Sequence, residues 1–234
     1  MFCSNSEIRY TLIVAAAGVG KRMGLSYPKQ FLEYNGKPLF INVLEVGEKS
    51  KLITDIIVVT GKDLINEVTN MCEKFQITKV KHIVEGGKER QDSILNALKF
   101  CEKNSIIAVQ DGVRPFFKEE YLEKSYYELK SNLDIDGVVI GVPVKDTIKV
   151  VDENGIIVST PVRSTLVAAQ TPQVFRGEKV IEAYEKAEKE KFLGTDDSSL
   201  VEKYGGKVKI ILGDYGNIKI TTIEDINFLK QEGE

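Results

Sequence analysis

Apolar and polar positions alternate along most of the chain in two rhythms. Short, nearly continuous apolar runs at 11–16, 55–60, 79–84, 106–110 and 137–141 have the length and the Val/Ile content of buried strands. Longer stretches at 39–49, 63–75, 90–103 and 119–130 lie between them and read as helices. This succession predicts an α/β fold: a mostly parallel, twisted, Rossmann-like sheet with helices on both faces. Ligands of such sheets bind outside the carboxyl ends of the strands. The loops after Ala16, Val84, Gln110 and Gly141 are therefore where chemistry is expected.

The rhythm breaks after Gly141. Runs at 145–151 and 156–160 are β-prone and flank the turn signal Asp152-Glu153-Asn154-Gly155. They predict a β-hairpin arm within 142–163 that departs from the sheet, either to pack on a second subunit as a homodimer arm or to lie back on its own domain. A helix at 178–189, a strand at 207–212 and a last helix at 223–231 complete the pattern. Without repeats, low-complexity tracts or linkers, residues 1–234 read as a single domain.

Composition changes this picture mainly by exclusion. With 42% apolar and 29% charged residues the chain is ordinary globular material, and a net charge of −3 gives no general footprint for nucleic acid or a membrane surface. No apolar run approaches the ~20 residues that span a bilayer. The first residues lack the apolar stretch of a signal peptide, and Cys3, Cys72 and Cys101 are scattered, so a reduced, cytoplasmic protein is expected. The single histidine, His82, sits inside an apolar run. A Ser–His–Asp triad or a His/Cys zinc site has little to draw on, which leaves Lys, Arg, Asp and bound metal.

Candidate chemistry concentrates after the first run. Ala16, Ala17, Gly18 and Gly20 let backbone amides approach a ligand, and the long cations Arg22 and Lys29 follow, the latter beside Pro28. Small residues trailed by Arg and Lys suit a polyphosphate; a ligand-free strand–helix turn is the plainer alternative. Two better-known loops are excluded. A dinucleotide fingerprint needs a glycine where Met23 stands and an acid after the second strand, where Thr60-Gly61-Lys62 stands; a Walker A loop needs Ser or Thr where Arg22 stands. Gly86-Gly87 opens a second such turn, with Ser93 placed to reach a base or ribose. Asp111, at the end of the fourth run, suits a Mg²⁺ ion held on nucleotide phosphates. Arg114 would grip a second phosphate or simply pair with Asp111. Arg163 reads as a surface charge and Thr195 as a helix N-cap. Lys219, between Ile218 and Ile220, would stand opposite its apolar neighbours.

Taken in order, Val14-Ala-Ala-Ala-Gly-Val-Gly-Lys-Arg-Met, Pro28-Lys-Gln, Gly86-Gly-x-x-Arg-Gln, Asp111-Gly-x-Arg-Pro, Asp146-Thr, Arg163-Ser-Thr, Gln170-Thr-Pro-Gln, Thr195-Asp-Asp and Asn217-Ile-Lys closely resemble the 2-C-methyl-D-erythritol 4-phosphate cytidylyltransferase family. The resemblance runs from about Tyr10 to the end of the chain. It implies a nucleotidyltransferase fold, a homodimer with exchanged arms, CTP and Mg²⁺, and a reaction that joins CTP to methylerythritol phosphate with release of pyrophosphate, in non-mevalonate isoprenoid synthesis. Carried over position by position, Ala16, Ala17, Gly18, Gly20, Gly87 and Ser93 would line cytidine and phosphates. Arg22 and Lys29 would grip the triphosphate and Asp111 the metal. Arg114, Thr147, Thr195 and Lys219 would face the sugar phosphate, with Arg163 reaching in from the partner's arm.

The chain departs from the family pattern at Gln110, where His is common, at Val167, where Trp is common, and at Gly216, where some members carry an acid; Asp214 lies two residues earlier. A ribitol 5-phosphate cytidylyltransferase shares the glycine loop, the Asp-x-x-Arg-Pro and the Asn-Ile-Lys, but segment 161–170 favours the methylerythritol enzyme. A sugar-1-phosphate nucleotidyltransferase fits the arm poorly, and a non-catalytic nucleotide-binding module is disfavoured by the presence of both Lys29 and Lys219.

Overall fold

The computed structural model describes residues 8–18, 27–222, 224–226 and 229. Its centre is a seven-stranded sheet in the order β11-β7-β10-β6-β1-β4-β5. The strands are β1 (Tyr10–Ala15), β4 (Asp55–Thr60), β5 (Val80–Glu85), β6 (Ile106–Asp111), β7 (Gly137–Pro143), β10 (Val167–Arg176) and β11 (Val208–Leu212). A two-residue ladder of β2 (Glu33–Tyr34) on β3 (Lys37–Pro38) precedes the first long helix. All seven sheet strands are parallel except β10, which runs antiparallel to both β6 and β7.

Alternation within the strands assigns the two faces. Leu12 and Val14 of β1, Ile56 and Val58 of β4, and Ile106 and Ala108 of β6 join one core with α1 (Leu39–Lys49), α2 (Ile65–Lys74) and α4 (Glu119–Ser131). Ile13, Ile57, Val59, Ile107 and Val109 join the other with α3 (Arg90–Leu98), α5 (Gly177–Glu190) and α6 (Asp197–Lys203). Because both faces are covered, β1, β4 and β6 are buried almost throughout, which is why they read as unbroken apolar runs.

Three expectations need correction. The largest is β10, a ten-residue strand that the apolar pattern does not reveal. Gln170, Thr171, Pro172 and Gln173 interrupt its apolar ends, and the register with β7 shifts between Ala169 and Gln173. A proline cannot donate to a ladder, so the strand is broken where its sequence is polar. The helix expected at 90–103 ends at Leu98, after which Phe100 and Cys101 turn back onto the carbonyls of Ala97 and Leu98. The hairpin is shorter than expected: β8 (Val150–Val151) pairs with β9 (Ile157–Ser159). Its turn is held by Asp152 Oδ1, which accepts from the amides of Asn154 and Ile156, with Gly155 at φ +79°. The helix expected at 223–231 falls partly outside the described residues.

Phe175 is fully buried in β10, and a Cβ on Gly137 of β7 would sit 2.4 Å from its ring, so the aromatic fills the space that this glycine leaves. Phe175→Ala is expected to lower stability by about 3–5 kcal/mol. Urea unfolding should show this as a lower midpoint at unchanged slope; an unmoved midpoint would show that β10 contributes little to the core.

Candidate active site

A cleft of about 320 Å³ opens at the carboxyl ends of β1, β5 and β6. Its floor is the chain leaving β1. The amide of Ala16 donates to the Val59 carbonyl, and the amide of Gly112 donates to that of Ala15, which seats the first loop between its two neighbouring strands. The second loop abuts it directly: a Cβ on Gly86 would lie 2.6 Å from that of Ala17, and one on Gly87 2.3 Å from that of Asp92. Neither position tolerates a side chain without displacing the loops. Ser93 serves this turn from inside. Its hydroxyl accepts from the Gly87 amide at 2.9 Å and donates to the Glu89 carbonyl at 3.0 Å.

Asp111 ends β6, and its carboxylate is buried among three cations. Arg90 Nε stands 3.4 Å from Oδ1, while Arg114 Nε and Lys219 Nζ stand 3.5 and 2.9 Å from Oδ2. Its amide donates to Thr171 Oγ1 at 3.1 Å, at the point where β10 breaks register. Burial opposes the charge on Asp111, but Arg90, Lys219 and Arg114 outweigh it and hold the carboxyl well below the usual range.

Lys219 reaches Asp111 because the segment before it is anchored. Asn217 is buried; its side-chain amide donates to Gln170 Oε1 and to the Thr171 carbonyl, and its own carbonyl accepts from Arg114 Nη1. Ile218 and Ile220 pack with Leu32, Leu39 and Val113, so the residue between them turns the other way, into the cleft. Lys29 also lines the cleft, and its ammonium donates to the Ile220 carbonyl at 3.3 Å. Gln30 beside it donates to the Ala16 carbonyl. The Pro28-Lys29-Gln30 segment thus ties the first loop to the Lys219 segment.

The remaining candidates divide by position. Ala16, Ala17, Gly18, Lys29, Gly87, Ser93, Asp111 and Lys219 meet on one cleft. Gly20 and Arg22 lie outside the described residues. Arg114 is turned inward, onto Asp111 and the Asn217 carbonyl, and does not line the cleft. Arg163 is exposed and donates to the Lys145 carbonyl at the base of the hairpin. Thr147 is exposed and also apart from the cleft lining. Thr195 is exposed, and it is not the N-cap expected before 196–203. Asp196 fills that place, accepting from the Ser199 amide in a reciprocal capping box.

Sequence reading missed the part played by Arg90 and Asp197. The Arg90 fork is bidentate on Asp197, at 2.9 and 2.8 Å, and Tyr184 donates its hydroxyl to the same carboxylate. One signal was available: Arg90 is the first residue of α3, the end of a helix where the dipole disfavours a cation. A cation placed there implies a carboxylate partner.

Comparison with known proteins agrees with this arrangement. The family model for 2-C-methyl-D-erythritol 4-phosphate cytidylyltransferase matches residues 10–230. The 2-C-methyl-D-erythritol 4-phosphate cytidylyltransferase of Fusobacterium nucleatum is 52% identical over 98% of this chain and 100% of its own. That of Geobacter metallireducens is 47% identical over 92% and 93%. Among solved structures, the 4-diphosphocytidyl-2C-methyl-D-erythritol synthase of Anaerococcus prevotii superposes with a TM-score of 0.84 at 34% identity, covering 98% of this chain and 99% of that one. A full-length family match, close relatives of equal length and the shared sheet agree: the chain belongs to the 2-C-methyl-D-erythritol 4-phosphate cytidylyltransferase family, a family of nucleotidyltransferases.

Proposed function

We propose that this protein joins CTP to 2-C-methyl-D-erythritol 4-phosphate, giving CDP-methylerythritol and pyrophosphate, in the cytoplasmic supply of isoprenoid precursors. Beyond family membership, one observation supports the reading most directly. Lys219 and Lys29 share one small cleft with Asp111, with the small-residue loop after β1 and with a second loop whose Gly86 and Gly87 leave no room for side chains. Such a cleft suits a nucleoside triphosphate, with Ala16, Ala17, Gly18 and Gly20 along the phosphates and Gly87 and Ser93 toward the cytidine.

In this reading a phosphate oxygen of the acceptor attacks the α-phosphorus, the bond from that phosphorus to the β-bridging oxygen breaks, and pyrophosphate leaves with the electron pair. The nucleophile is already ionised, so no side chain has to remove a proton. Arg22, Lys29 and Lys219 hold two polyanions in line against their repulsion and meet the charge that gathers on the α-phosphate. Arg114 acts through Asp111 and the Asn217 carbonyl, which it fixes. Thr195 and Thr147 are assigned to the acceptor.

Asp111 is the residue assigned to Mg²⁺. Among the described residues no group of three or more His, Cys, Asp or Glu could hold a metal, and Asp111 stands among three cations. This donor set fits an ion that arrives with triphosphate oxygens in its coordination shell, as Mg²⁺ does in nucleotide sites. When bound, the ion would neutralise phosphate charge.

A homodimer is part of the proposal. Val150, Val151, Ile156, Ile157, Val158 and Val162 expose apolar side chains on and beside the hairpin. Such a ribbon is suited to packing on a second copy, with Arg163 at its base reaching the partner's acceptor site. No helix among the described residues is long and apolar enough to cross a membrane.

Pyrophosphate release with CTP and Mg²⁺ should be strong with methylerythritol 4-phosphate and weak with ribitol 5-phosphate; the reverse preference would move the enzyme to polyol-phosphate activation for wall polymers. Lys219→Ala should lower kcat about 10²–10³-fold, as loss of a group aimed at developing charge does. Undiminished turnover would remove Lys219 from the mechanism.

Water proton relaxation with Mn²⁺ in place of Mg²⁺ tests the metal assignment. The protein alone should give no enhancement, and CTP should bring it on; equal enhancement without nucleotide would show a preformed ion site.

The acid limb of kcat/KM for the acceptor should fall near pH ~6, where the phosphate takes up its second proton. Asp111, its carboxyl held low, stays ionised through that range and loses its charge only at far lower pH. A limb near pH ~4, in the ordinary carboxylate range, would instead place an essential acid in the site.

A further inference from the structure

Segment 192–198 is fastened to α3 and β10 by an unusually complete set of polar contacts. Gln91 of α3 donates to the Phe192 carbonyl and accepts from the Gly194 amide. Gln173 of β10 donates to Asp196 Oδ2 and accepts from the Ser198 amide. Asp197, with no exposed surface, receives the Arg90 fork and the Tyr184 hydroxyl. The same guanidinium turns its Nε edge to Asp111 at 3.4 Å.

Stability alone gives little reason for this arrangement. The cap of α6 is already made by Asp196 and Ser199, so Asp197 is not needed there. Arg90 is placed against the dipole of its own helix. A buried ion pair costs desolvation that a packed apolar pair would avoid, so it is weak evidence for a purely stabilising role. What Arg90 does that an apolar residue cannot is to fix two carboxylates of different elements at once.

We propose that Arg90 is a positioning residue that sets the spacing between the cleft and the smaller pocket beside it, which Arg90 and Thr195 both line. Its Nε edge holds Asp111 on the nucleotide side, and its fork holds Asp197, and with it the turn that carries Thr195, on the acceptor side. This rests on the reading of Asp111 as the metal carboxylate and of Thr195 as an acceptor contact. Fixed outer partners of this kind typically matter by about 10–100-fold in metal affinity or activity when lost.

A three-variant comparison tests it. Arg90→Gln leaves Asp197 buried with only the Tyr184 hydroxyl and no cation, and should unfold at lower temperature. Adding Asp197→Asn removes that stranded charge and should return the melting temperature toward wild type. The proposal requires that this double variant, though refolded, keep a kcat about 10–100-fold low and need correspondingly more protein to give the relaxation enhancement of Mn²⁺·CTP. Wild-type kcat and Mn²⁺·CTP binding in a stable double variant would overturn it and leave Arg90 a structural pair. If the double variant does not fold, Arg90→Lys decides: it keeps one positive charge but serves one carboxylate at a time. The proposal then requires weaker Mn²⁺·CTP binding or a higher acceptor KM, and wild-type values for both would overturn it. The Mn²⁺·CTP readout needs no acceptor, so it judges Arg90 even if the turnover assay rejects the acceptor assignment.

Discussion

The structure depends on one buried carboxylate and the three cations around it. Asp111 ends the central strand β6, and Arg90, Arg114 and Lys219 reach it from α3, from the loop that follows β6 and from the segment after β11. Arg90 is shared with Asp197, so three cations face two carboxylates and one positive charge is left over at the floor of the cleft. That excess is uncomfortable in an empty protein, because like charges repel at short range in a poorly screened site. It is resolved by a polyanionic ligand, which is what the glycine loops on either side are shaped to admit. The same carboxylate therefore organises the folded site and fixes its preference for phosphates.

Much of the surrounding chain is arranged to keep this cluster in place. The break in β10 costs ladder hydrogen bonds, but it frees Thr171 to receive the Asp111 amide and frees the Gln170 side chain and the Thr171 carbonyl to receive Asn217. Asn217 in turn presents Lys219, with Ile218 and Ile220 packed as anchors on both sides. A polar interruption that would be a defect in an ordinary antiparallel strand is here the device that joins the sheet to the segment carrying Lys219. Such networks contribute most when fully satisfied, and their members act as a unit.

How much of this is legible in the sequence follows from the range over which each signal acts. Strands β1, β4 and β6 are buried on both faces, so their apolar runs declare them, and the helices between declare the parallel sheet. The glycine loops and Asp111 lie directly after such runs, so their place at the strand ends is legible as well. β10 is not, because Gln170 to Gln173 carry no alternation and their partners lie on three separate segments. The Arg90–Asp197 pair is separated by 107 residues, so nothing local to either residue reveals it beyond the misplaced charge at a helix start. Thr147, Arg163 and Thr195 are known as candidates only through resemblance. Thr147 and Arg163 stand apart from the cleft lining, and Thr195 lines a smaller pocket beside it together with Arg90.

The lone histidine stands apart from the cleft. His82 lies on the edge strand β5, exposed, with its ring against Phe100 at 4.4 Å between centroids. It is absent from the cleft lining. Asp111 cannot replace it as a base, since three cations hold its proton affinity down and occupy its surroundings. Glu89, which also lines the cleft, is engaged as the N-cap of α3; the arrangement therefore suits a nucleophile that is already an anion, for which the difficulty is repulsion between anions and not proton removal. Cations held by the fold before a ligand arrives are suited to that difficulty, because they need no reorganisation. The restraint on Asp111 and the surplus of positive charge beside it both suit a reaction between two phosphate anions.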